Sequence, residues 1–95
     1  MNIILTNKAK LYLKKKNDRT VTIDLFVANS CIEIAEATVS VGKPLESIEK
    51  FNMFNSDGYS VYIFKGVNVK ESGLVINAKN ILGMKFLDIE GVKLF

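Results

Sequence analysis

Histidine is absent from this 95-residue chain, and cysteine and proline each occur once. Without histidine there is no Ser-His-Asp triad, no Cys-His nucleophile pair and no zinc site of the mixed His/Cys type. A single cysteine excludes an intrachain disulfide and fits a reducing compartment. No apolar run approaches the roughly 18–20 residues that a membrane-crossing helix needs. The apolar start Ile3-Ile4-Leu5 is too short for a signal-peptide core, and lysines follow it instead of preceding it. A cytoplasmic protein with no membrane partner is therefore expected. No phosphate-binding or dinucleotide-binding glycine fingerprint is present, and no carboxylates fall at calcium-loop spacing.

What is present suits one domain over residues 1–95, with 48% hydrophobic and 24% charged residues. The net charge of +3 is uneven. Lys8, Lys10, Lys14, Lys15, Lys16 and Arg19 oppose Asp18 alone in the first twenty residues, and the remainder is slightly acidic. A basic helix of this kind is most often a solvated face, so nucleic acid is not an expected partner. The aromatic residues lie mostly in apolar strand runs, which points to core packing ahead of base stacking.

The pattern opens with a short strand, Asn2 to Leu5, and then Thr6 as a helix N-cap. A helix is predicted over Asn7–Lys16, with Ala9, Tyr12 and Leu13 on one face and Leu11 flanking it. Lysines crowd its last turn, where cations favour the helix dipole. Thr20–Ala28 alternates, with Val21, Ile23, Leu25 and Val27 on one side and Thr20, Thr22 and Asp24, joined by Phe26, on the other, and reads as a half-buried antiparallel strand. Strand character resumes over residues 32–41 with a change of phase, which predicts a bulge or bend near Ile34-Ala35. Gly42-Lys43-Pro44 breaks the run. Weak strand character over Ser47–Phe54, the turn Asn55-Ser56-Asp57-Gly58 and the apolar run Tyr59–Phe64 make a hairpin. Gly66–Gly73 is a polar connection. Leu74–Ala78 is a strand, Lys79–Gly83 a turn and Met84–Ile89 a further strand. The fold class is α+β and mostly β: a compact sandwich or half-barrel of mainly antiparallel strands with one N-terminal helix.

Cys31 is the one soft nucleophile, set after the strand Val21–Val27 in the small polar stretch Ala28-Asn29-Ser30. It is either a small buried hydrophobe or a thiolate that binds metal or attacks sulfur. A low thiol pKa requires a nearby cation or a helix N-terminus; Arg19 and the lysines of residues 8–16 are the candidate cations. Asp24, Glu33 and Glu36 lie near Cys31 in sequence, but carboxylates are poor ligands for soft metals.

The order of these features resembles the A-type iron–sulfur carriers, the HesB/IscA-like family. The opening Ile3-Ile4-Leu5-Thr6, the helix with Ala9 and the strand Val21–Val27 running into a loop with Cys31 carry the likeness. The run Gly58–Phe64 and the strand beginning at Leu74 follow the same order. The chain is more closely similar to the CC/Se-motif (seleno)proteins, through Gly42-Lys43-Pro44 and Asp57-Gly58-Tyr59-Ser60-Val61-Tyr62. Those proteins carry Cys-Cys or Cys-selenocysteine in this loop; here Ile32 follows Cys31. The carriers' later Cys-Gly-Cys pair is also missing.

The resemblance implies a HesB-like fold and a non-enzymatic binding or carrier-like protein of iron–sulfur or thiol/selenium metabolism. Its site is reduced to Cys31, supported by Ala28, Asn29 and Ser30. A cluster is normally held by about four thiolates. An iron–sulfur cofactor therefore requires ligands from another chain, and a homodimer or an iron–sulfur or thiol protein is the implied partner. Two alternatives stand beside this reading. One is a single-cysteine thiol-redox protein, forming a mixed disulfide or sulfenic acid. The other is an interaction module with no cluster or redox role.

Overall fold

The computed structural model describes residues 2–28 and 34–93. Strand β1 (Ile3–Leu5) leads into helix α1 (Asn7–Lys15). Thr6 caps the helix from an extended conformation, its Oγ1 accepting the Ala9 N–H at 3.2 Å. The same hydroxyl donates to Asn77 Oδ1 at 2.7 Å, so the cap also ties the helix to a distant strand. The helix stops because Asn17 takes a left-handed φ of 55°. The Asp18 N–H then reaches the Leu13 carbonyl and the Asn17 N–H that of Lys14, each at 3.1 Å. Those two bonds satisfy carbonyls that the helix end would leave open. Ala9 and Leu13 are fully buried and Tyr12 half-buried, as the spacing predicts. Leu11, which flanks that face, is 59% exposed.

Strands β2 (Thr20–Ala28), β3 (Ile34–Val41), β4 (Phe51–Ser56) and β5 (Tyr59–Phe64) form one sheet in the order β3-β2-β5-β4. One turn of 3-10 helix, Ile48–Lys50, precedes β4 where weak strand character was expected. Strands β6 (Asn68–Val69) and β9 (Val92–Lys93) pair as a small ribbon inside what reads as polar connection. Strands β7 (Leu74–Ile81) and β8 (Met84–Glu90) join β1 in a second sheet, ordered β1-β7-β8. Antiparallel pairs outnumber parallel ones, yet both larger sheets are mixed: β1 runs parallel to β7, and β2 parallel to β5.

The expectation for β2 is therefore half right. It is antiparallel to β3 and parallel to β5, and Val21, Thr22 and Ile23 are all buried. Alternation marks the polar parity as outward, but Thr22 is only 5% exposed. Its hydroxyl is satisfied by donating to the Gly42 carbonyl at 2.6 Å, which removes the usual cost of burying it. The predicted bulge near Ile34-Ala35 is not there. The β2–β3 register runs unbroken from Val21↔Val41 to Ala28↔Ile34.

Two hairpins close on two-residue turns. Asp57-Gly58 (φ 50° and 81°) joins β4 to β5, and Leu82-Gly83 (φ 51° and 80°) joins β7 to β8. Positive φ at both positions matches the twist of the flanking strands. The second turn is tighter than expected, because β7 continues through Lys79, Asn80 and Ile81. Leu13, Ile23, Leu74, Ile76, Val21 and Val61 are fully buried between the helix and the two sheets. At the base of the second sheet, Gly91 has a φ of 100°, and a Cβ there would collide with the Gly73 carbonyl oxygen.

Candidate functional site

Cys31, Asn29 and Ser30 lie outside the described residues, as do Ile32 and Glu33. Of the four residues expected to form the site, Ala28 alone is placed. It ends β2 and pairs with Ile34 of β3.

The hairpin that carries this stretch changes character along its length. From Thr20 to Ile23, β2 is flanked by β5 as well as β3. From Asp24 to Ala28 it pairs with β3 alone, as a two-stranded ribbon. The ribbon leans on β8 through β3. Beside Ala37 a cleft is lined by Lys70, Asp88 and Glu90, with acidic groups outnumbering the basic one.

The cations proposed for the thiol are all among the described residues. Arg19 precedes the first residue of β2. At about 3.3 Å per residue it lies roughly 30 Å along the strand from Ala28. Arg19 stacks over the Tyr59 ring, 5.9 Å from its centroid. Lys14, Lys15 and Lys16 end α1 and join it to the same start of β2. Lys10 is paired with Asp57, in the turn before β5, at 3.0 Å. Lys8 lines a groove between α1 and the β7–β8 hairpin. Among the acidic candidates, Asp24 is exposed, and its Oδ1 accepts the Leu25 N–H at 2.7 Å. Glu36 is registered opposite Phe26. Among the described residues, no three His, Cys, Asp or Glu come together as a metal site. Among them, too, no helix is long and apolar enough to cross a membrane.

The α1/β7–β8 groove is a feature the sequence reading passes over. It holds about 670 Å³, with Leu11, Tyr12, Ala78 and Ile81 among lysines. Its signal is present in the sequence. Ile81 and Leu82 are large apolar residues in a stretch read as a turn, and Leu11 stands off the buried stripe of the helix.

Compared with known proteins, the chain matches the model of one family, described as the CC/Se motif containing family, over residues 1–92. No curated protein matches it, and no solved structure does.

Proposed function

The chain belongs to the CC/Se motif containing family, and from that premise we propose that it is a non-enzymatic, carrier-like binding protein of iron–sulfur or thiol/selenium metabolism. Cys31 is its single ligating or reactive thiol. The observation that carries the reading is the family match across residues 1–92, which spans the β2–β3 hairpin and the stretch holding Cys31. We read the fold as HesB-like on the same ground, supported by one N-terminal helix against two mixed sheets, and the working compartment as cytoplasmic.

The chemistry of one thiol limits what this carrier does. Two chains supply two thiolates, about half of what a cluster takes. A homodimer therefore holds a cluster only with a small thiol or a partner's ligands completing it. A two-thiol redox cycle within one chain is excluded, because Ile32 stands where a second chalcogen residue would be.

Anaerobic reconstitution with ferrous iron, sulfide and glutathione tests the proposal. Visible absorbance that co-elutes with the protein and is lost in Cys31→Ser is the expected result. Absorbance absent from the wild type, or unchanged in Cys31→Ser, overturns it. The thiol-redox alternative makes a separate claim: alkylation of Cys31 would rise well below the ordinary thiol pKa of about 8.5.

A further inference from the structure

The groove between α1 and the β7–β8 hairpin has an apolar floor and a cationic rim. Leu11, Tyr12, Ala78 and Ile81 supply the apolar surface, and Lys8, Lys15, Lys79 and Lys85 surround it with no acidic residue in the lining. Lys79 is already neutralised by Asp88 at 2.9 Å. Lys8, Lys15 and Lys85 have no ion-pair partner among the described residues.

Lys15 on the helix and Lys85 on the hairpin both line the groove. Lys15, through a side-chain hydrogen bond first and charge second, holds Lys85 below the ordinary lysine range. Like charges lining one groove repel each other, and an anion placed between them offsets that cost.

The apolar surface continues past the groove along the hairpin. Ile81 is 53% exposed, Met84 73% and Leu82 98%. Leucine at position 82 gains nothing from burial in the free chain, and its φ of 51° is one that L-residues avoid. Neither packing nor backbone preference accounts for it, and local strain of this kind is common where a surface is used.

We propose that this groove docks an acidic peptide segment of a partner protein. A carboxylate of that segment sits between Lys15 and Lys85, and a neighbouring apolar side chain lies on Leu11 and Ile81. Charge complementarity selects an acidic occupant. The surface is concave, with apolar residues among lysines, which suits an inserted segment better than a flat lipid surface. The apolar strip runs on to Leu82 and Met84, which calls for a ligand longer than a small anion. The inference goes beyond the thiol reading and does not rest on it.

The test is fluorescence anisotropy with a labelled peptide that alternates glutamate with leucine and phenylalanine. A peptide with lysine in place of glutamate, and phosphatidylserine–phosphatidylcholine vesicles, are the comparison ligands. The glutamate peptide should bind and the lysine peptide should not. The double substitution Lys15→Gln, Lys85→Gln should weaken binding about tenfold or more. Leu11→Ser should weaken it several-fold, and raising salt from about 50 to about 300 mM should weaken it further. The pair Lys43→Gln, Lys70→Gln makes the same charge change outside the groove and should leave affinity within about twofold. Cys31→Ser should have no effect, which separates this proposal from the thiol reading. All the lysines altered are at the surface, and unchanged melting temperatures verify that the variants fold. Three results would overturn the proposal: no saturable binding of the glutamate peptide up to about 1 mM, equal weakening by both lysine pairs, or groove-dependent binding to vesicles in place of peptide.

Discussion

Replacing Leu82 with asparagine should stabilise the fold although it removes a large apolar side chain. Leu82 is the first residue of the two-residue turn between β7 and β8, at φ 51°. A left-handed conformation costs an L-residue roughly 1–2 kcal/mol, and asparagine tolerates it far better. Asn-Gly is also the pair this turn geometry favours most. Against that gain stands the burial that leucine would lose, and at 98% exposure there is almost none. The balance is a gain of about 1 kcal/mol. In a domain of this size that raises the melting temperature by roughly 4–8 °C. The assay is reversible thermal denaturation at several protein concentrations, with Gly83→Ala as the opposite control, because Gly83 also has positive φ (80°). A Leu82→Asn protein that melts lower than wild type, by a margin that grows with concentration, would refute the reasoning. Leu82 would then be buried in an assembly, and its exposure in the single chain would not be its working state.

Thr6→Ala removes both the helix cap and the hydroxyl that reaches Asn77, and should cost about 1–2 kcal/mol in urea denaturation, with Thr6→Ser restoring most of it. Gly91→Ala combines an unfavourable φ with a collision against the Gly73 carbonyl, and should cost about 2–4 kcal/mol in the same assay. Asp88 raises the Lys79 pKa, chiefly by a side-chain hydrogen bond and then by charge. The stability this gives is complete below about pH 10.5 and is lost as pH climbs through the folded-state value, so Asp88→Asn should flatten that alkaline decline. Lys85 has the opposite sign: its lowered folded-state value is a cost at neutral pH that is relieved as pH approaches 10.5. Lys85→Gln should therefore be the more stable protein near pH 7, by a margin that shrinks at alkaline pH. Arg19→Gln should leave the pH profile of Cys31 alkylation unchanged, because Arg19 lies at the far end of β2.

Local chemistry made much of the chain readable. Thr6, the Ala9/Tyr12/Leu13 stripe and the Asp57-Gly58 turn each depend on neighbours a few residues away. Those signals survive into the structure because the tertiary fold agrees with them. What escaped depends on partners distant in sequence. The parallel pairing of β2 with β5 leaves no mark on either strand alone, and the burial of Thr22 follows from a carbonyl twenty residues on. The phase change after Ile34 suggested a bulge or bend, but the β2–β3 ladder has no bulge there, since its register runs unbroken through residues 34–41. For the site, Cys31 could be singled out by residue type, while its electrostatic setting could not. Lysines close in sequence to a strand's beginning are far from that strand's end. The groove was hidden for a related reason, being made of a helix and a hairpin separated by most of the chain.

The division of β2 into a half held in three strands and a half in a two-stranded ribbon bears on how such a chain can diverge. The residues that close the core, Val21 and Ile23 against Val61 and Ile63, belong to the Thr20 end. The stretch holding Cys31 is attached to the other. Under the function proposed above, selection on chemistry acts beyond the Ala28 end of β2, while the three-strand register that anchors the strand lies at its Thr20 end.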